Sequence, residues 1–372
     1  MNVAIWGSGY YGTKLRMILE HCDPNGKSFR AMYFVDNDEK KWGEVYLGLK
    51  ILSPDTLKRS NESIDGIVIA VSNEKINDIV NQAKKIGIKR ILLLPTWQYK
   101  KTDVDLNEIM EIEYEKPRLN YLEFHASEHC NLNCKGCASF CGLITEPRFI
   151  DERVLFDDLK RLKELVWGIG IIRILGGEPL LNPSLHRIVS FTRRVFPDSD
   201  LRVVTNGLLL PSLSRELINA MRCSGAVFDV SVYPPTQKRI NEIKCICELN
   251  EIEYALNRIE EFYKVLDPSG KNDPHISLLN CIAPGCTLLK NGELTKCVFL
   301  QYVDLLNASF NMNFRVDNDD RINIYSDGLD GNKLVEMLNR PSGFCKYCTQ
   351  NPIPYKWEAV GYKVAKEDWV IG

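Results

Sequence analysis

The sequence predicts an α/β protein of two or three domains, and three observations carry that prediction. Short apolar, β-branched runs alternate with segments whose apolar residues recur at helical spacing, from Val3 to Leu94 and again from Tyr121 onward. The first run ends in a G-x-G-x-x-G turn. Most segments rich in Cys, Gly, Asn or Glu fall just after an apolar run. In α/β sheets and barrels, ligand sites gather at those carboxyl ends of strands. At 372 residues the chain is also too long for one typical domain.

Val3 to Trp6 reads as a strand, Gly7-Ser-Gly9-Tyr-Tyr-Gly12 as the turn, and Leu15, Ile18 and Leu19 as the apolar face of a helix. This is the opening of a Rossmann-like unit, in which the glycines allow a tight turn and a phosphate can sit on the amides of the helix N-terminus. A second strand, Ala31 to Val35, ends at Asp36, 24 residues beyond Gly12, where a carboxylate can accept from a ribose hydroxyl. A third strand (Gly66 to Val71), a helix over Glu74 to Ile86 and a fourth strand (Arg90 to Leu94) complete a parallel sheet over residues 1–100. A nucleotide or nucleotide-sugar is the ligand such a unit would hold, although the same glycines are needed simply to turn the chain. The polar stretch 101–117, which stops at Pro117, reads as a linker.

The second alternating region begins with a strand over Tyr121 to Ala126 and a helix over Val154 to Val166. A strand over Ile171 to Leu175, a helix over Leu185 to Val195, and strands over Leu201 to Val204 and Val227 to Val232 follow. The first strand leads into CNLNCKGC, which spaces Cys130, Cys134 and Cys137 as Cys-x3-Cys-x2-Cys, and the Ile171 to Leu175 strand ends at Gly176-Gly177-Glu178. Three thiolates on one loop can hold three irons of a four-iron four-sulfur cluster, leaving one iron open to a further ligand. A Cys-x2-Cys also fits zinc, but zinc gives no reason for the Gly-Gly-Glu segment.

Together the two motifs closely resemble the radical S-adenosylmethionine (SAM) enzymes, a resemblance covering residues 118–285. It implies a partial (β/α)6 barrel as the core, over 118–280, and SAM as the chelator of the open iron, with Gly176, Gly177 and Glu178 near its methionyl amine. Asn206 in VVTNG and Ser231 in VFDVSVYPP match positions that contact SAM, and Phe140 matches an aromatic placed against the cluster or adenine. A strand-end Asn is equally a turn residue, and a Ser in a strand can simply be packed. Cys141 could donate a hydrogen atom to a substrate radical, or be a packed small residue. The resemblance further implies a one-electron donor such as flavodoxin or ferredoxin.

Residues 281–372 add Cys281, Cys286, Cys297, Cys345 and Cys348. With Gly292-x4-Cys297 and FCKYC they resemble the auxiliary-cluster domains called SPASM or, in a shorter single-cluster form, twitch. The shorter form matches better, with Cys286, Cys297, Cys345 and Cys348 as the favoured ligands and Cys281 as the alternate; zinc in the same thiolates is the other reading. Cys22, Cys223, Cys245 and Cys247 show no site spacing.

The net charge of −2, with no long basic run, excludes an obvious nucleic-acid groove or anionic-membrane surface. No apolar stretch approaches the roughly 20 residues of a membrane span, and the N-terminus goes straight into a strand, so a cytoplasmic protein is expected. The expected substrate is a small molecule, above all a nucleotide-sugar or polysaccharide precursor undergoing epimerisation, dehydrogenation or deamination. The rivals are a peptide-modifying SPASM-type maturase, and a subunit whose first domain docks a partner enzyme.

Overall fold

β1 (Asn2–Trp6) lies inside a seven-stranded sheet of order β3-β4-β2-β1-β5-β6-β7, in a computed structural model that describes residues 1–59, 64–101, 104–360 and 364–371. The other strands are β2 (Arg30–Val35), β3 (Val45–Tyr46), β4 (Leu49–Leu52), β5 (Gly66–Ile69), β6 (Ile91–Leu93) and β7 (Met110–Glu111). β1 pairs in parallel with β2 on one side and β5 on the other, so the glycine turn leaves the sheet where the strand order reverses. Val3, Ala4, Ile5 and Ile67 to Ile69 are buried without alternation, as strands covered on both faces must be. The helix Ile76–Lys85 buries Ile76, Ile79, Val80 and Ala83, one stripe at helical spacing.

Residues 101–117, expected as a linker, instead extend this sheet. β7 pairs antiparallel with β6, and Val104 and Ile112 are buried in its two cores. Apolar residues placed singly among the charges decide this burial, against the polarity of the stretch as a whole. Residues 102 and 103 lie outside the described ones. This first unit comprises residues 1–118, 167–170 and 197–200.

The second unit comprises residues 119–166, 171–196 and 201–372, so the expected core and the expected C-terminal extension form one body. Its sheet has the order β12-β11-β10-β9-β8-β14-β15-β16. Five strands follow chain order: β8 (Arg118–Ser127), β9 (Gly168–Gly176), β10 (Asp200–Thr205), β11 (Val227–Val232) and β12 (Tyr254–Arg258). The helices Glu152–Leu165, Leu185–Val195, Arg215–Ser224 and Ile240–Leu249 connect them. β13 (Glu261–Leu266) pairs instead with β17 (Cys348–Lys356), in a separate two-stranded sheet. β14 (Leu288–Lys290) joins the far side of β8 in parallel, through Leu288 and Glu123, and β15 (Glu293–Thr295) and β16 (Ile322–Asn323) continue antiparallel. That pairing ties the extension to the core.

Candidate active site

The chain leaves β8 into the cysteine loop, and the end of β9 is pressed against the start of that loop. Gly177 N–H donates to the Ser127 carbonyl at 2.7 Å and Glu178 N–H to the His129 carbonyl at 3.0 Å. A Cβ at Gly176 would stand 1.9 Å from the Ser127 oxygen, and one at Gly177 2.1 Å from the His129 oxygen. Only glycine allows this approach.

The approach closes one wall of a cavity of about 370 Å³, which Cys130, Cys134, Cys137 and Cys141 line together with Gly176, Gly177, Asn206 and Ser231. Residues from four strand ends thus meet, as the sequence predicts. Asn206 Nδ2 donates to Asn131 Oδ1 at 2.7 Å and lies 3.8 Å from Cys130 Sγ. Glu178 does not reach this space. Its buried carboxylate accepts from Leu180 N–H (3.0 Å), Thr205 Oγ1 (2.7 Å) and Asn206 N–H (2.9 Å), fastening the end of β9 to that of β10. Burial raises it to about 7 against the pull of those donors.

Cys141 turns toward Cys137. Its thiol and amide hydrogen-bond the Cys137 sulfur and bring that thiol down to about 7. Burial raises Cys134 to about 12 and Cys130 further. Iron would displace those protons, since a metal ligates the thiolate. Phe140 departs from expectation: it is fully buried and packs on Phe299 and Trp369, at 5.9 and 5.6 Å between ring centroids. The backbone at Phe140 is left-handed, with φ 53°. Three thiols lining one cavity with main-chain and amide groups are the donor set for a cluster with one iron left for a small ligand.

The loop is held from outside by residues that no motif announced. Lys135 N–H donates to the Glu358 carbonyl and Val360 N–H to the Asn133 carbonyl, both at 2.9 Å. Trp369 Nε1 donates to the Cys137 carbonyl at 2.8 Å and Tyr355 to the Lys135 carbonyl at 3.0 Å. Tyr233, on the cavity wall, stacks on Trp357 at 5.4 Å. No periodicity or spacing links these positions to residues 130–141.

The five C-terminal cysteines act on one another electrostatically, Cys286 through Cys297 and Cys281. Cys281 and Cys345 act electrostatically on Cys297, and Cys281, Cys297 and Cys345 act on Cys348. Burial raises Cys297 to about 12 and Cys345 and Cys348 above the usual thiol range. Lys296, lowered to about 8 by its own burial, adds an adjacent cation. Cys286 turns to Glu123 Oε1 at 3.2 Å. Cys281 thus joins the expected set, and Cys286, which acts with Cys297 and Cys281, also has a carboxyl partner on β8.

In the first unit, a Cβ at Gly12 would stand 1.9 Å from the Gly7 carbonyl oxygen, and Gly7 itself has φ +116°, whereas nothing lies within 4 Å of a Cβ at Gly9. Gly7 and Gly12 are needed by the turn; Gly9 alone leaves its space open. Asp36 accepts from Ser8 N–H at 2.9 Å, Ser8 Oγ, Asp38 N–H at 2.9 Å and Lys41 Nζ at 3.2 Å. Those donors hold it ionised and below the usual range, against the desolvation that opposes them. A ribose hydroxyl would have to displace one of them.

Residues 125–244 match the family described as the radical SAM superfamily. That stretch of the chain carries a radical SAM domain. The radical SAM match spans Cys130, Cys134, Cys137, Gly176 to Glu178, Asn206 and Ser231, and residues 1–92 match a second family, described as C2185-like, N-terminal. A GTP 3′,8-cyclase of Staphylococcus epidermidis is 26% identical over 229 residues, 59% of this chain and 64% of that relative. One from Geobacter sulfurreducens is 37% identical over 168 residues, 44% of this chain and 47% of the relative. The chain thus spans less than two thirds of the length of these curated relatives. A crystal structure of BtrN in complex with AdoMet and 2-DOIA is similar over 69% of this chain and all of that one, at 16% identity and a TM-score of 0.40. Among the described residues no helix is long and apolar enough to cross a membrane.

Proposed function

We propose that this radical SAM protein cleaves SAM reductively at a cluster on Cys130, Cys134 and Cys137, and takes a hydrogen from a sugar-bearing substrate such as a nucleotide-sugar or polysaccharide precursor. The observation that carries this reading is the shared cavity, where the three thiols face Gly176, Gly177, Asn206 and Ser231. When bound, the cluster and SAM supply one electron and a 5′-deoxyadenosyl radical. The chain's own residues do the positioning. Gly176 and Gly177 bring bare backbone to the wall; Glu178 fixes the amide of Asn206; Cys141 hydrogen-bonds the sulfur of Cys137; Tyr233 and Phe262 add aromatic lining.

Cys281, Cys297, Cys345 and Cys348 are proposed to hold one auxiliary iron–sulfur cluster, which a one-electron donor such as flavodoxin or ferredoxin could serve. The open space at Gly9 supports a nucleotide in the first unit, and with it a nucleotide-sugar substrate.

Anaerobic reconstitution of the parent and of Cys134→Ala tests the reading. The parent is expected to form 5′-deoxyadenosine with dithionite and SAM, and the variant none. Formation by the variant at the parental rate would overturn it.

A further inference from the structure

Asn206 follows the last residue of β10, and the fold holds it on three sides. Its N–H donates to Glu178 Oε2 at 2.9 Å, its carbonyl accepts from Thr236 Oγ1 at 2.7 Å, and its side-chain Oδ1 accepts from Leu208 N–H at 3.0 Å. The last of these bonds fixes the orientation of the amide. With its oxygen turned to Leu208, the NH2 group faces the cysteine loop.

Two acceptors meet that NH2 group, one for each hydrogen. Asn131 Oδ1 lies 2.7 Å and Cys130 Sγ 3.8 Å from Nδ2. Leu132 N–H donates to the same sulfur at 3.3 Å. Cys130 thus receives one donor from its own loop and one from the end of β10, 76 positions away. A residue that only turned the chain would need no more than its Oδ1. Glu178 and the two neighbouring thiols also act on Cys130, in the opposite sense, since negative charge nearby disfavours negative charge on the sulfur.

We propose that Asn206 is a positioning residue for electron transfer: by hydrogen-bonding the Cys130 sulfur it favours the reduced form of a cluster held there. One-electron reduction adds negative charge that the ligand sulfurs share, so a donor aimed at one of them is held more strongly afterwards and the potential rises. The electron comes from the external reductant, and the hydrogen stays on Nδ2. Because Glu178, Thr236 and Leu208 pin Asn206, the donor is in place before the electron arrives. This role needs no SAM, unlike the contact that the sequence position of Asn206 implies. It rests on the proposed cluster at Cys130, Cys134 and Cys137.

A redox titration of anaerobically reconstituted protein tests it, with dithionite as reductant, no SAM, and the electron paramagnetic resonance signal that Cys134→Ala lacks as the readout. Asn206→Ser keeps the main-chain bonds to Glu178 and Thr236 and offers Leu208 N–H a hydroxyl, but is too short to reach the sulfur. Its reduction constant is expected to fall at least about three-fold, a midpoint lower by ~28 mV at about 59 mV per ten-fold for one electron. Should that variant fail to load iron, Asn206→Ala, which also loses the Leu208 bond, is expected to show the same fall. A parental midpoint in a variant that loads iron would overturn the proposal. So would a shift seen only after SAM is added, which would assign Asn206 to SAM, or failure of both variants to load iron, which would leave Asn206 a purely structural residue. A parent with neither that signal nor 5′-deoxyadenosine would sink the proposed function and this proposal with it, whereas a parent with both and unshifted variants sinks only this one.

Discussion

Trp369 donates its indole N–H to the carbonyl of Cys137 at 2.8 Å, across 232 positions of sequence. Its ring also packs on Phe140 and Phe310 at 5.6 and 6.2 Å, so one side chain both fills the core and holds the cysteine loop. Trp369→Phe keeps most of the packing and removes the donor. It is expected to cost about 1 kcal/mol in thermal melts and to release iron faster to a ferrous chelator, whereas Trp369→Ala costs about 3–5 kcal/mol. Parental iron release from Trp369→Phe would show that the hydrogen bond does not secure the loop.

Cys281 and Cys286 are expected to separate by iron content. Cys281→Ser should remove about four irons per chain from anaerobically reconstituted protein, and Cys286→Ser should remove none, if Cys281 completes an auxiliary cubane. The reverse pattern would restore Cys286 as the ligand.

His125 sets an acid limit on stability. Its ring stacks on Tyr302 at 4.8 Å, both ring nitrogens lack a partner among the described residues, and burial drives it down to about 3 from 6.5. A base whose folded pKa is depressed contributes its full stability above the unfolded value and loses it as pH falls toward the folded one. Between about pH 7.5 and about pH 5 the loss is roughly 2 kcal/mol. His125→Phe keeps an aromatic ring on Tyr302 and should flatten this limb in urea melts at the two pH values. An unchanged slope would assign it to other groups.

Two glycines of one turn should respond oppositely. Gly12→Ala drives a methyl into the Gly7 carbonyl and is expected to cost about 3 kcal/mol or more. Gly9→Ala meets open space and should stay within about 1 kcal/mol of the parent. Chemical denaturation followed by far-UV circular dichroism reads both, and equal losses would mean that the fold also claims the space above Gly9.

The parts of this molecule legible in its sequence are those where one short segment does one job. The glycine turn after β1, the cysteine spacing and the Gly-Gly approach at β9 each depend on residues within a few positions, and the structure places Gly176, Gly177, Asn206 and Ser231 around the cysteines. What could not be read depends on distant pairing. Tyr233, Trp357 and Trp369 reach the site from well outside the cysteine motif, and spacing does not reveal that the Cys286 thiol meets Glu123. Glu178 shows the same gap in miniature. A motif fixes its position, but only the three donors around its carboxylate reveal that it braces Asn206.

The clasp of Tyr355, Glu358, Val360 and Trp369 on the cysteine loop also orders events in time. During synthesis Cys130, Cys134 and Cys137 leave the ribosome more than 200 residues before Trp369, the donor to Cys137. Until then the loop lacks its outer braces, and any iron it met would be poorly retained and open to oxygen. A cluster on that loop would therefore be secured only late in maturation, and a nascent chain stalled before Tyr355 would carry its three thiols without those braces.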